Sequence, residues 1–227
     1  MWAVMKKELK SYFYSPIGYV FIGLFLAIFS FIFYITTISQ GAVTYQYVFF
    51  YSVMYIVIFL IPLLTMRTFA EERKNGTEQL LLTSPISITK IVIGKFIAAL
   101  AIVVITEICT FMYFGILCHY GIPKLTTTFA TLLGFLLFVM AYIAFGMLSS
   151  SITENQIIAG IISIGFFIIT WVLPEFNSSL ESYSFINMFY KYTQGQIDIG
   201  DTVTFITFTI TCLLLTAVVM QRRKSVK

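Results

Sequence analysis

The stretch IVIGKFIAALAIVVITEICTFMYFGILC, residues 91–118, decides the fold class. Apolar side chains fill almost every position, with no polar face of the kind a surface helix of a soluble protein carries. Only Lys95 and Glu107 are charged in it. A membrane-crossing helix needs about 20 such residues, so this one is long enough to tilt strongly or to project from the bilayer. Five further apolar runs flank it, at 17–39, 47–66, 129–148, 156–174 and 203–220. The expected fold is all-α: a polytopic membrane protein with six transmembrane helices in one membrane domain over 1–227.

Composition agrees. Of 227 residues, 59% are apolar and 11% charged, against about 45–50% and about 25% in an average soluble domain, and mean hydropathy is +0.94. The 24 charged residues could not cover a soluble globule of this size, and disorder is excluded by the same arithmetic. The three cysteines, Cys109, Cys118 and Cys212, lie in apolar runs without a C-x-x-C pair, which indicates neither a disulfide framework nor a metal site. The first apolar run is too long for a signal-peptide core and lacks a small-residue cleavage site, so it reads as a retained span.

Loop charge sets the expected orientation. The amino terminus, the loop 67–90 with the start of the third run, the loop 149–155 and the carboxyl tail hold twelve of the fourteen lysines and arginines; the opposite side keeps Lys124 and Lys191. The positive-inside bias places the basic side, with both termini, in the cytoplasm, and an even number of spans follows. Segment 175–202 then faces outward with Glu175, Glu181, Asp198 and Asp201. Within residues 1–16, Trp2, Met5, Leu9, Tyr12 and Phe13 fall on one helical face and Lys7 and Lys10 on the other, which reads as an interfacial helix on the bilayer surface. A plain topogenic basic stretch is the competing reading. Pro16 allows the bend into the first span.

The segment between the second and third runs is the most informative. Eight of the chain's 24 charges lie between Arg67 and Lys95. Asn75-Gly76 is a turn signal, Thr77 is placed to cap a short helix with Glu78 in its first turn, Leu80, Leu81 and Leu82 form an apolar patch, and Ser84-Pro85 stops the helix. Ser87 is placed to cap the third span. An apolar patch on a charged loop asks for a protein partner or a membrane surface; by pattern alone a solvated charged hairpin fits equally well.

Arg67-x-Phe69-Ala70-x-Glu72-Arg73-x-x-Gly76-Thr77-x-x-x-Leu81-Leu82-Thr83-x-Pro85, followed by Ile93-Gly94-Lys95, resembles the cytoplasmic loop of ABC-2-type transporter permeases. Ser150-x-x-Thr153-x-Asn155-Gln156-x-x-Ala159 resembles that family's loop into the fifth span. Phe189 with Gly195-x-Ile197-Asp198-x-x-Asp201 resembles its outer segment, and Arg222-Arg223 its basic tail. The layout is most similar to the small six-span permeases of the gliding-motility and nitrous-oxide-reductase-maturation branch. The resemblance implies a permease of the bacterial plasma membrane, an exporter, working as a homodimer or heterodimer with two copies of a cytoplasmic ATPase. It implies that a short coupling helix within Phe69 to Ser84 docks on the ATPase through Phe69, Glu72, Arg73, Gly76, Thr77, Leu81, Leu82 and Pro85. It further implies short re-entrant helices in the outer segment.

The chain has no G-x-x-x-x-G-K-[ST] phosphate loop, so ATP and magnesium are expected on the partner ATPase and no cofactor on this chain. No G-x-S-x-G elbow or H-E-x-x-H pair occurs, and the single His119 cannot build a histidine metal site; the chain is not expected to be an enzyme. No platform for nucleic acid is present beyond short basic runs. Glu107 is the one carboxylate deep in a span. A membrane carboxylate is costly and reads as a candidate for the translocation path, or as a hydrogen-bonded structural glutamate. Two alternatives remain beside the permease: an ion-coupled secondary transporter, weakened by the lack of a visible repeat, and a membrane scaffold that recruits a cytoplasmic protein.

Overall fold

A computed structural model describes residues 1–39, 45–79, 83, 85–121, 123–176 and 184–226; among them the regular structure is helical, with no strand. Helix α1 covers Trp2–Tyr14. Helix α2 covers Pro16–Phe33 and continues through a π-type turn, Tyr34–Ile38. Helix α3, Tyr45–Tyr55, passes through a second π-type turn, Ile56–Leu60, into α4, Ile61–Thr65. The short α5 spans Ala70–Lys74. Four long helices and one short one complete the chain: α6 Ile88–Tyr120, α7 Leu125–Ile152, α8 Gln156–Phe176, α9 Phe185–Thr193 and α10 Ile199–Val226.

Five stretches are long and apolar enough to cross a membrane: Pro16–Ile38, Tyr45–Lys74, Ile88–His119, Leu125–Ile152 and Ile199–Lys224. They coincide with five of the six expected runs. The run expected at 156–174 forms α8, whose apolar part, Gln156–Val172, is shorter than those five.

Local chemistry explains the breaks. Ser15 caps α2 by accepting from the Ile17 amide, with Pro16 in the first turn, where a missing N–H costs nothing. Pro62 follows the Ile56–Leu60 turn, and a widened turn accommodates the hydrogen bond that proline cannot make. Ser87 occupies the cap position of α6 as expected, but its side chain makes no cap bond; its carbonyl accepts from Lys90 and Ile91 instead.

Helix α7 lies at the centre, against α10, α9, α8, α6, α4 and α3. Phe25, Phe29, Phe49, Phe135, Phe138 and Phe189 form a continuous buried aromatic seam through the bundle, with centroids 5.0–6.5 Å apart. Hydroxyl pairs tie helices together: Ser30 with Tyr113 at 2.5 Å, Tyr45 with Thr110 at 2.9 Å, Tyr142 with Thr170 at 2.6 Å and Ser149 with Ser163 at 2.8 Å. Packing between apolar helices in lipid relies on such contacts and on small residues at close approaches. Gly146 is one: a Cβ there would collide with Thr65 Oγ1 and stand 2.7 Å from its Cβ. Gly146→Ala is therefore expected to destabilise the protein by about 1–3 kcal/mol. Gly23→Ala, where nothing lies within 4 Å, is the control. Equal melting temperatures for the two variants in detergent would show that the α4–α7 contact yields freely.

In the segment expected to lie outside, 175–202, the described residues 184–202 include more buried side chains than its charges suggest. Phe185, Met188, Phe189 and Tyr192 of α9 pack into the bundle, under a polar cluster in which Lys191 Nζ lies 2.9 Å from Asp201 Oδ2 and 3.9 Å from Asp198 Oδ2. The Asp201 hydrogen bond holds the Lys191 ammonium above its ordinary pKa.

Candidate functional site

The 67–87 loop is tied to the rest of the protein at three places. The first tie is the start of α5. The first amides of a helix lack partners, and here the Ser150 hydroxyl near the end of α7 accepts from Phe69 N and Ala70 N, each at 3.1 Å, and donates to Met66 O at 3.0 Å. Phe69 is buried beneath this cap.

The second tie is Arg73. The last carbonyls of a helix also lack partners and carry partial negative charge. Arg73 fills that need at the end of α7: Nη2 donates to Ser151 O at 2.7 Å and Nη1 to Thr153 O at 2.9 Å. Its Nε reaches Glu78 Oε2 at 3.3 Å. Glu78 Oε1 lies 3.6 Å from Arg223 Nη1 of α10, and Arg223 donates to Ile152 O at 3.1 Å. Between Arg73 and Glu78 the chain turns at Gly76, whose φ of 71° favours glycine. The Thr77 hydroxyl donates back to Glu72 O at 3.2 Å, so it serves the preceding turn rather than an amide ahead of it.

The third tie is a buried charge cluster. Lys95, 1% exposed, donates to Glu72 Oε1 at 2.9 Å, to Glu8 Oε1 at 3.0 Å and to Thr68 O at 2.8 Å, and its ammonium lies 5.3 Å from the Phe69 ring centroid. One ammonium thus joins α6, the loop and α1. Close approach makes this reachable. At Gly94 a Cβ would stand 3.1 Å from Val4 Cβ and 3.2 Å from Met1 O, so α1 crosses α6 there. Glu72 Oε2 is buried without a hydrogen-bond partner.

Of the expected coupling residues, Phe69, Glu72, Arg73, Gly76 and Thr77 come together in this one ordered turn. Pro85 is exposed beyond it. Leu81 and Leu82, with Leu80 and Ser84, lie outside the described residues. Glu107 is on the same helix as Lys95 but twelve residues further, about 18 Å along the axis, and belongs to another region. It is buried, and its carboxyl makes no ion pair or hydrogen bond among the described residues. One turn on, the Tyr45 hydroxyl bonds Thr110. Among the described residues no three His, Cys, Asp or Glu side chains gather as metal ligands would.

Sequence reasoning missed four contributors: Glu8, Lys95, Ser150 and Arg223. Lys95 and Arg223 count in the sequence as orienting charge and as motif positions, and Ser150 only as a motif position. The available signal was Glu8. It shares the packed face of α1 with Met5, Leu9 and Tyr12, and a carboxylate on such a face needs a buried partner. Trp2, expected on that face, is 71% exposed.

A multi-pass helical membrane protein with a charge-anchored turn, built from residues 67–79, between two of its long helices is what the fold and this site define. Residues 34–220 match the family described as ABC-2 family transporter protein, and the chain belongs to that family: it is a membrane permease of an ABC transporter. No curated protein matches the chain.

Proposed function

We propose that the chain is the permease subunit of an ABC exporter and that the 67–87 loop is its coupling element to a separate ATPase. The observation that carries the reading is the loop's anchoring to α1 and α6 through Lys95, to α7 through Ser150 and Arg73, and to α10 through Glu78. A push on a loop held in this way moves four helices rather than bending the loop. Six crossings, with α8 as the fifth, put α1 on the inner surface of a bacterial plasma membrane and the loop and both termini in the cytoplasm, in line with the placement of basic residues. A second permease copy, identical or related, completes the path. Two ATPase copies carry ATP and magnesium, and this chain performs no chemistry of its own.

Leu81 and Leu82 supply the apolar docking surface, each offering about 1.5–3 kcal/mol of burial. Leu82→Asp is expected to cut capture of the ATPase from native membranes by roughly tenfold or more, with membrane insertion unchanged; Leu81→Asp is expected to do the same. Undiminished ATPase capture by both variants would remove the coupling assignment. The ion-coupled reading rests on Glu107, which has no partner among the described residues. It would be favoured by transport that needs no ATPase and stops in Glu107→Gln.

A further inference from the structure

A cavity of about 60 Å³ lies between α1 and the start of the loop, lined by Glu8, Ser11, Tyr12, Ser15, Arg67 and Glu71, among others. That is several times the space a single water needs. Its charges are arranged in an unusual way. Arg67 and Glu71 are four residues apart, a spacing that pairs opposite charges on a helix, but the turn preceding α5 intervenes. Both line the cavity, yet neither side chain makes an ion pair or hydrogen bond among the described residues. Glu8 uses one oxygen on Lys95. The cavity thus presents an unpaired guanidinium, an unpaired carboxylate and part of a second carboxylate to whatever enters it.

We propose that this cavity binds the headgroup of an ethanolamine phospholipid, with the phosphate at Arg67 and the ammonium between Glu71 and Glu8. A lone phosphate would face two carboxylates, and a lone cation would face the guanidinium. A zwitterion satisfies both. A primary ammonium brings three donors to acceptors that include the Ser11 and Ser15 hydroxyls, whereas a trimethylammonium brings none. Position supports a lipid over a soluble molecule. Ser15 caps α2, the helix that begins the first candidate crossing at Pro16, so the cavity lies where the chain enters hydrocarbon, at headgroup depth. This placement rests on the proposed reading of α1 as a surface helix.

The test uses the full chain, delipidated in neutral detergent, with dihexanoyl phosphatidylethanolamine, phosphatidylcholine, phosphatidylglycerol or free phosphoethanolamine added and the melting temperature read. The ethanolamine lipid is expected to raise it by about 2–4 °C and the other two lipids by less than half as much. Arg67→Gln and Glu71→Gln, each confirmed as folded by gel filtration, are expected to lose that difference, while Lys74→Gln, outside the cavity, keeps it. Equal shifts from all three lipids, or a difference that persists in both cavity variants, overturns the site. A full shift from free phosphoethanolamine overturns the lipid source. ATPase capture by the same preparations separates the two readings: capture without a lipid shift defeats the cavity alone, and a lipid shift without capture defeats the coupling function alone.

Discussion

Lys95→Met is expected to lower the unfolding free energy by about 3–5 kcal/mol, the usual cost of removing one partner from a buried ion pair. The methionine nearly fills the volume, so the loss is electrostatic. Glu8 and Glu72, 14% and 17% exposed at their side chains, would face each other without the ammonium that holds them. The origin of the effect can be checked by neutralising the carboxylates. The triple variant Lys95→Met, Glu8→Gln, Glu72→Gln is expected to recover more than half of the lost stability, because a cluster without charge has little to desolvate. Thermal unfolding of the three proteins in one detergent settles it. A single variant as stable as the parent would mean that the carboxylates relax to solvent and that the cluster fixes nothing.

The second large effect is expected from a substitution that keeps charge. Arg73→Lys preserves the cation, but one ammonium cannot reproduce a planar fork that reaches Ser151 O, Thr153 O and Glu78 together. Losing a charged hydrogen bond to a buried carbonyl costs about 1.5–3 kcal/mol. The end of α7 would lose its cap and Glu78 would lean on Arg223 alone. Faster amide hydrogen exchange is expected at the loop and the last turn of α7, with the aromatic seam unaffected. Protection unchanged in that turn would show that water caps the carbonyls as well as arginine does.

How much of this was legible in the sequence follows from the range of each interaction. Apolar runs and the Asn75-Gly76 turn are local signals, and both were read correctly: five runs became long apolar helices, and Gly76 has the positive φ such turns use. Thr77 was placed as a helix cap from spacing alone. Its hydroxyl had a nearer acceptor behind it, Glu72 O, and spacing does not say which way a hydroxyl turns. In the sequence, segment 175–202 stands out by its charges, Glu175, Glu181, Asp198 and Asp201 against one lysine; yet Phe185, Met188, Phe189 and Tyr192 recur at helical spacing, and that face is buried. Glu8 marked one side of the charge cluster, but its partner stayed hidden for a different reason. A lysine near the end of an apolar run satisfies the positive-inside bias whether it faces water or two carboxylates, so Lys95 carried no mark of its burial.

The same cluster imposes an order on assembly. Glu72 precedes Lys95 by 23 residues and Glu8 precedes it by 87. Synthesis runs from the amino end, so both carboxylates exist before the ammonium that neutralises them. Until α6 enters the membrane, α1 has no helix to cross at Gly94 and the loop has no anchor on that side. Insertion of α6 then latches two earlier pieces in one step, so a nascent chain halted before Lys95 would leave both acids hydrated and α1 undocked.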